Sequence, residues 1–279
     1  LGGQFSQRGL RARHGHDRRT GARERHRDAP AQAAAATDDH RAAGRVHDAT
    51  ATACTEAAFA RTGAAVVAVA RTESALRELA AETSGIDIEV ADAADPTVPG
   101  TLLDRHRPDT VIIVAGAAPL PRPLHHHTWE TFSANWNTDV RIAFHWLREA
   151  LLTPLPPGGR VIVVSSGAAV NGSPLSGGYA GAKATQRFIT GYAQDEARRA
   201  GSDLTFTAVL PQITPATSLG LPAVRAYAAR AGQSVQEYVD RLGEPLTPEI
   251  AGAALLELAS VDEPAASYRL TADGLTALP

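Results

Sequence analysis

The sequence predicts an α/β protein built on a doubly wound, mostly parallel sheet that runs from about Thr55 onward. Three observations carry this. Beyond Thr55 short apolar runs alternate with amphipathic stretches, the apolar runs are continuous instead of alternating with polar residues, and glycine or proline stands at many of the boundaries. Strands buried on both faces read as unbroken apolar runs, and such strands alternating with helices imply a parallel sheet covered on either side.

In chain order, residues 56–62 form an amphipathic helix that ends at Gly63 as a C-cap, and 64–70 is an apolar run of buried-strand length. Residues 72–83 place Leu76 and Leu79 on one helical face, and 86–91 supply a second short strand that ends near Asp92. A strand at 111–115 closes on Gly116, and 129–152 is one long helical region. The turn Pro156-Pro157-Gly158-Gly159 leads into a strand at 160–164, and 179–200 is helical. The strand at 204–210 stops at Pro211, which lacks the N–H that a central ladder needs.

The 279 residues suffice for one large α/β domain or two small ones, and 44% hydrophobic content permits a sizeable core. A formal net charge of -3 supplies no general attraction to nucleic acid or anionic membrane. Cys54 is the one cysteine, so no intramolecular disulfide or C-x-x-C metal pair is available, which suits a reducing cytoplasm. No apolar run approaches the roughly 18 to 20 residues that span a bilayer. The Arg-rich N-terminus lacks an apolar core segment and carries Asp17, Glu24 and Asp28, so neither a secretory signal nor a transit peptide is expected there.

Two regions differ sharply. Residues 1–54 are Arg-, Ala- and His-rich, with only Leu1, Phe5, Leu10 and Val46 as large aliphatic or Phe residues, and are expected to be disordered or aberrant. They hold 10 of the 26 arginines but no interleaved aromatics, so nucleic-acid binding is not expected. Residues 55–279 form the predicted domain. The adjacent His125, His126 and His127 cannot converge on an ion as spaced histidines do, and read as a loop; no metal is expected.

The strongest chemical signal is Tyr179-Ala180-Gly181-Ala182-Lys183, whose spacing of four puts phenol and ammonium on one helical face, one turn apart. A free tyrosine, with a pKa of about 10, is a poor acid or base at neutral pH, and a nearby cation favours its phenolate. Lys183 can supply that cation, and it is the single lysine of a chain with 26 arginines. Ser166 ends the apolar strand Val163-Val164-Ser165, where a hydroxyl can hold a substrate oxygen beside the tyrosine; Ser165 reads as a backbone cap.

These residues resemble the short-chain dehydrogenase/reductase family, which has a Rossmann-type sheet, an active-site serine and a Y-x-x-x-K pair thirteen residues later. The resemblance covers 55–279. It implies an oxidoreductase that moves a hydride between NADP or NAD and a carbonyl/alcohol substrate. In that family the tyrosine is the general acid/base, the lysine supports it and binds the nicotinamide ribose, and the serine orients the substrate. Those roles fall on Tyr179, Lys183 and Ser166. The resemblance implies a fourth catalytic residue, an asparagine that holds a water of the proton relay; counting back from Ser166 by the family's separation lands on Asp139, which can bind a water too, with Asn135 and Asn137 nearby.

The resemblance also implies cofactor contacts at Arg71, Asp92, Ala115, Gly116, Tyr179, Lys183, Pro211 and Ile213. Arg71, directly after the run 64–70 that stands where the family has its second strand, favours NADP. Gln212 replaces the glycine usual after Pro211. The helices carrying Trp136, Trp146 and Phe188 lie where the family often dimerises, which implies a homo-oligomer, and the 215–246 region, with Leu219, Leu221, Tyr227 and Tyr238, is where substrate choice is expected.

One part of the pattern is missing. The family's first, central strand and its glycine-rich turn belong just before the helix that ends at Gly63, yet Gly44-Arg45-Val46-His47-Asp48 offers one glycine and no apolar run. The glycines of that turn let the backbone approach a pyrophosphate. Two readings follow: a hydride-transferring enzyme, or a catalytically silent binding or structural relative with a lost phosphate loop.

Overall fold

Helices and strands alternate along the chain largely where the apolar runs place them. The computed structural model describes residues 49–153 and 155–279, so the expectation for residues 1–48 lies outside the described residues. Helix α1 (Ala49–Ala60) begins ahead of its expected start at Glu56 and crosses the boundary expected at residue 54. Gly63 then turns the chain at φ +86 into β1 (Val66–Ala70). Next come α2 (Glu73–Glu82), β2 (Ile86–Val90), α3 (Val98–His106) and β3 (Thr110–Ile113). Sequence reasoning assigned nothing to 98–106, yet Pro99 stands in the first turn of α3, where its missing N–H breaks no helical bond.

The expected long helical region at 129–152 is continuous: α4 (Trp129–Asn135) passes through a π-helical turn (Trp136–Val140) into α5 (Arg141–Leu152). Then follow β4 (Gly159–Val164), α6 (Ala168–Asn171), α7 (Tyr179–Arg199) and β5 (Leu204–Pro211). The remainder is α8 (Gly220–Ala231), α9 (Val235–Leu242), α10 (Pro248–Leu258) and the hairpin β6 (Ser267–Thr271) and β7 (Gly274–Ala277).

The protein is α/β with mostly parallel strands, which form two sheets among the described residues. β1 and β2 pair in parallel; β3, β4, β5 and β6 form a second parallel set, with β7 antiparallel at its edge. Among the described residues no strand pairs with the second edge of β1 or the outer edge of β3. A central first strand belongs between those edges, so the gap among the described residues falls at the position for which the sequence offers no apolar run. Packing bridges the break: Val69 of β1 packs on the cluster that holds Val111 and Ile113 of β3, and the Trp146 indole donates to Ala93 O at 3.1 Å.

The larger sheet is covered on both faces, as its apolar strands require. Val161 and Val163 join Leu147 and Trp146 of α5 and Ala193 and Ala197 of α7 on one side. Ile162 points the other way, among Leu255 and Leu258 of α10, with Phe59 of α1 packed alongside. Helix α7 lies close to the sheet because its inward stripe is small or polar: Ala182, Lys183, Gln186, Thr190, Ala193, Gln194 and Ala197 are buried at helical spacing. Two of the polar members bond locally, Thr190 Oγ1 donating to Gln186 O at 2.7 Å and Gln194 Oε1 accepting from Phe206 N at 2.8 Å, while Gln186 Oε1 is buried with no hydrogen-bond partner.

Candidate active site

Within each sheet the parallel strands end on a common edge, and crevices at such carboxyl ends are where open α/β proteins bind ligands. Ser165 and Ser166 follow β4, Ala115 and Gly116 follow β3, and Pro211 closes β5. An open concavity of about 610 Å³ beside Gln194, Arg198, Thr205 and Glu263 lies at the opposite end of β5 and has no part in this edge.

Tyr179 is the first residue of α7, and the chain reaches it through two glycines pressed against α4. Gly177 has φ +53 and faces the His127 ring, while a Cβ on Gly178 would stand 1.8 Å from Phe132 O. His127 is thus packing for the approach to Tyr179, with its Nδ1 3.2 Å from Thr131 Oγ1. One turn later Lys183 is buried, its Nζ 5.7 Å from the centre of the Tyr179 ring.

Lys183 also meets Asp139, whose Oδ2 lies 3.2 Å from Nζ. Asp139 is fully buried on the π-helical turn, and its Oδ1 accepts from Ala117 N at 2.7 Å. The Oδ2 contact is an ion pair whose angle falls outside hydrogen-bond geometry. Gly116 leaves the room: a Cβ there would sit 3.0 Å from the Asp139 carboxylate. Two amides that sequence reasoning gave no role complete the frame. Asn135 Nδ2 donates to Ala117 O at 2.7 Å and Gln186 Nε2 to Asp139 O at 2.9 Å. Gln186 carried one legible sign, a polar residue on the same helical face as Tyr179 and Lys183.

Ser165 caps a backbone group, as expected of it, but on another element: its buried Oγ donates to Lys183 O at 2.7 Å and ties the end of β4 to α7. Ser166, partly exposed, accepts from Ala168 N at 3.2 Å. The structure therefore joins Tyr179, Lys183 and Asp139 directly, and brings Ser166 in through its neighbour.

The other expected positions are spread along the strand ends. Arg71 is exposed directly after β1. Asp92, just past β2, accepts from Ala94 N at 3.0 Å and so shapes the turn there. Ala115 packs on the core cluster of β3, and Pro211 O accepts from Gly167 N at 2.7 Å, joining the ends of β4 and β5. Ile213 is partly exposed beyond them.

The sequence pattern of the short chain dehydrogenases matches residues 51–223. The chain belongs to that family. Its general role is that of a dehydrogenase or reductase. Solved structures share the fold of this short-chain dehydrogenase. An NAD+-bound xylitol dehydrogenase aligns at TM-score 0.68 and 18% identity, over 76% of this chain and 89% of that one. A variant of an actinorhodin polyketide ketoreductase with NADPH aligns at 0.65 and 19%, over 76% and 87%. A levodione reductase aligns at 0.65 and 21%, over 76% and 85%. No curated protein sequence matches the chain.

Proposed function

We propose that this short-chain dehydrogenase moves a hydride between NADP or NAD and a carbonyl/alcohol substrate, with Tyr179 as general acid/base. The observation that carries the reading is the part-buried Tyr179 beside the buried Lys183 and Asp139 pair at the strand ends. In this reaction Tyr179 gives a proton to a carbonyl oxygen or takes one from an alcohol, with a cation beside the phenol. Lys183 supplies that cation, and Asp139 fixes the ammonium in place. Ser166 orients the substrate oxygen from the end of β4.

The residues present fit the two ends of a dinucleotide. The Lys183 ammonium has three protons, and one contact to Asp139 leaves donors for a ribose. Gly116, Ala115, Pro211 and Ile213 offer backbone at the nicotinamide end, together with Tyr179 and Lys183; Asp92 and Arg71 stand at the adenosine end. The bound nicotinamide supplies or accepts the hydride. The NAD+ of the xylitol dehydrogenase and the NADPH of the ketoreductase support either cofactor. Arg71 favours NADP, because a guanidinium pairs with a 2′-phosphate.

Helices α5 and α7 expose Phe144, Leu152, Phe188 and Tyr192, and the turn before α5 exposes Trp136, which supports a homo-oligomer through these helices. Trp146 takes no part, since it is buried against Ala93. Among the described residues no helix is long and apolar enough to cross a membrane, and we place the protein in the cytoplasm, acting on a small molecule.

The unpaired edges of β1 and β3 among the described residues favour a second reading, a silent relative that binds no dinucleotide. Titration with NADPH and with NADH, followed by nicotinamide fluorescence and thermal shift, separates the two. Saturable binding, tighter for NADPH, supports the enzyme. A folded chain that binds neither turns the reading to the silent relative.

A further inference from the structure

The α8–α9 hairpin follows β5 on the edge that carries the candidate site, and it is tied down at three places. At its start Thr217 Oγ1 donates to Thr214 O at 3.0 Å and accepts from Gly220 N at 2.9 Å. Beyond its end Gln212 Nε2 donates to Glu244 O at 3.0 Å, which gives the residue that stands in place of a family glycine a task of its own. In the middle the Tyr227 hydroxyl hydrogen-bonds the Ser173 hydroxyl.

Ser173 is the hub of the middle tie. Its Oγ lies 2.8 Å from Ser176 Oγ and accepts from Leu175 N at 3.3 Å, while Ser176 O accepts from Tyr179 N at 3.0 Å. Hydrogen bonds thus run from α8 to the backbone of the candidate general acid/base. The ring of Tyr227 has separate support, stacking on Tyr238 at 6.1 Å and 11°, with the Arg241 guanidinium 5.0 Å over Tyr238. Ring packing and hydroxyl bonding are therefore separable, and the phenol oxygen is the group that reaches across.

The geometry points to Tyr227 as a positioning residue whose hydroxyl latches α8 onto the Ser173–Ser176 turn, holding the substrate-side cover in register with Tyr179. A neutral hydroxyl bond of this kind shifts an opening equilibrium about five-fold, so the tie can open by thermal motion. The consequence for catalysis rests on the dehydrogenase reading above; the latch itself does not.

Hydrogen–deuterium exchange on the full chain, without cofactor or substrate, tests the latch apart from that reading. Tyr227→Phe keeps the ring stack and removes the hydroxyl, and is expected to raise amide exchange in Gly220–Ala231 about five-fold while α5 is unchanged. Ser173→Ala is expected to match it, the double variant to add nothing, and Ser173→Thr to restore protection. For a ketone that the wild-type chain reduces with NADPH, KM should rise by a similar factor and kcat by less than two-fold either way. Unchanged exchange in Tyr227→Phe, or additive effects in the double variant, would overturn the latch. Failure to bind NADPH with the exchange result intact would overturn the enzyme reading alone.

Discussion

The Lys183 ammonium and the Asp139 carboxylate meet at 3.2 Å inside the protein, their side chains 6% and 1% exposed. One sits on α7 and the other on the π-helical turn, so the pair fastens two separate stretches of chain beneath the candidate catalytic tyrosine. Removing one member of a buried pair strands the other charge, at a cost of about 3–5 kcal/mol. Asp139→Ala also orphans the Ala117 N–H. It is expected to lower the melting midpoint by roughly 10 °C, as read by a thermal scan. Asp139→Asn keeps an acceptor for Ala117 N and the same volume but strands the Lys183 charge as the alanine does, so it should lose most of that amount and still less than Asp139→Ala. Equal losses in both variants would show that the charge, not the hydrogen bond and packing, carries the frame.

The two glycines around Tyr179 should behave in opposite ways. Gly178→Ala drives a Cβ to 1.8 Å from Phe132 O, so the approach to Tyr179 must shift. Loss of roughly ten-fold or more in kcat/KM is expected, with reduced stability. Gly181, between Tyr179 and Lys183, is exposed, and a Cβ there meets nothing within 4 Å. Gly181→Ala should therefore raise stability by about 0.5–1 kcal/mol, since alanine loses less backbone freedom in a helix. Parallel urea titrations and rates for the two variants check both.

The reach of the sequence follows from which signals are local. β1, β3, β4 and β5 were legible because strands buried between layers are short apolar runs, β2 because Ile86, Ile88 and Val90 alternate with charged residues, and Tyr179 with Lys183 because helical spacing is fixed. The π-helical turn was not: a single extra residue inside 129–152 leaves the apolar period almost intact. The stretch 98–106 was assigned no element because Pro99 and Gly100 are breakers in most positions. Asp139 was found by a separation counted from Ser166, whereas its ties to Ala117, Gln186 and Lys183 join segments far apart in the chain. The same holds for the bond from Tyr227 to Ser173 and for Gln212 to Glu244, which no spacing announces. The break in the sheet was foreshadowed by a missing apolar run, although the bridging contact of Trp146 with Ala93 was not.

Arg71 offers a direct test of cofactor choice. A charge-assisted bond to a phosphate contributes about 1.5–3 kcal/mol, so Arg71→Ala should weaken NADPH binding roughly ten- to hundred-fold. NADH lacks the 2′-phosphate and should bind within about three-fold of its wild-type affinity. Fluorescence titration of both cofactors on both chains decides it, and an equal loss for the two would remove Arg71 from phosphate recognition.

Glu56 gives the protein a pH dependence of its own. Helix α1 is seated on α10 so closely that a Cβ at Gly252 would meet Cys54 O at 2.7 Å, and Glu56 Oε2 is buried with no hydrogen-bond partner. Burial pushes the Glu56 carboxyl up from an ordinary 4.5 to about 7. Between those values the folded chain keeps a proton that the unfolded chain has released. The stabilisation from this group is therefore complete below pH 4.5 and is lost as pH rises through 7, above which the folded state must hold an unpaired carboxylate. The gap corresponds to an upper limit of about 3 kcal/mol. Glu56→Gln keeps the shape and removes the titration. It should be more stable than the wild type by about 1–3 kcal/mol at pH 8, with most of that advantage gone at pH 5. Urea unfolding at the two pH values measures the difference, and an advantage that does not change with pH would mean that packing, not charge, separates the two side chains.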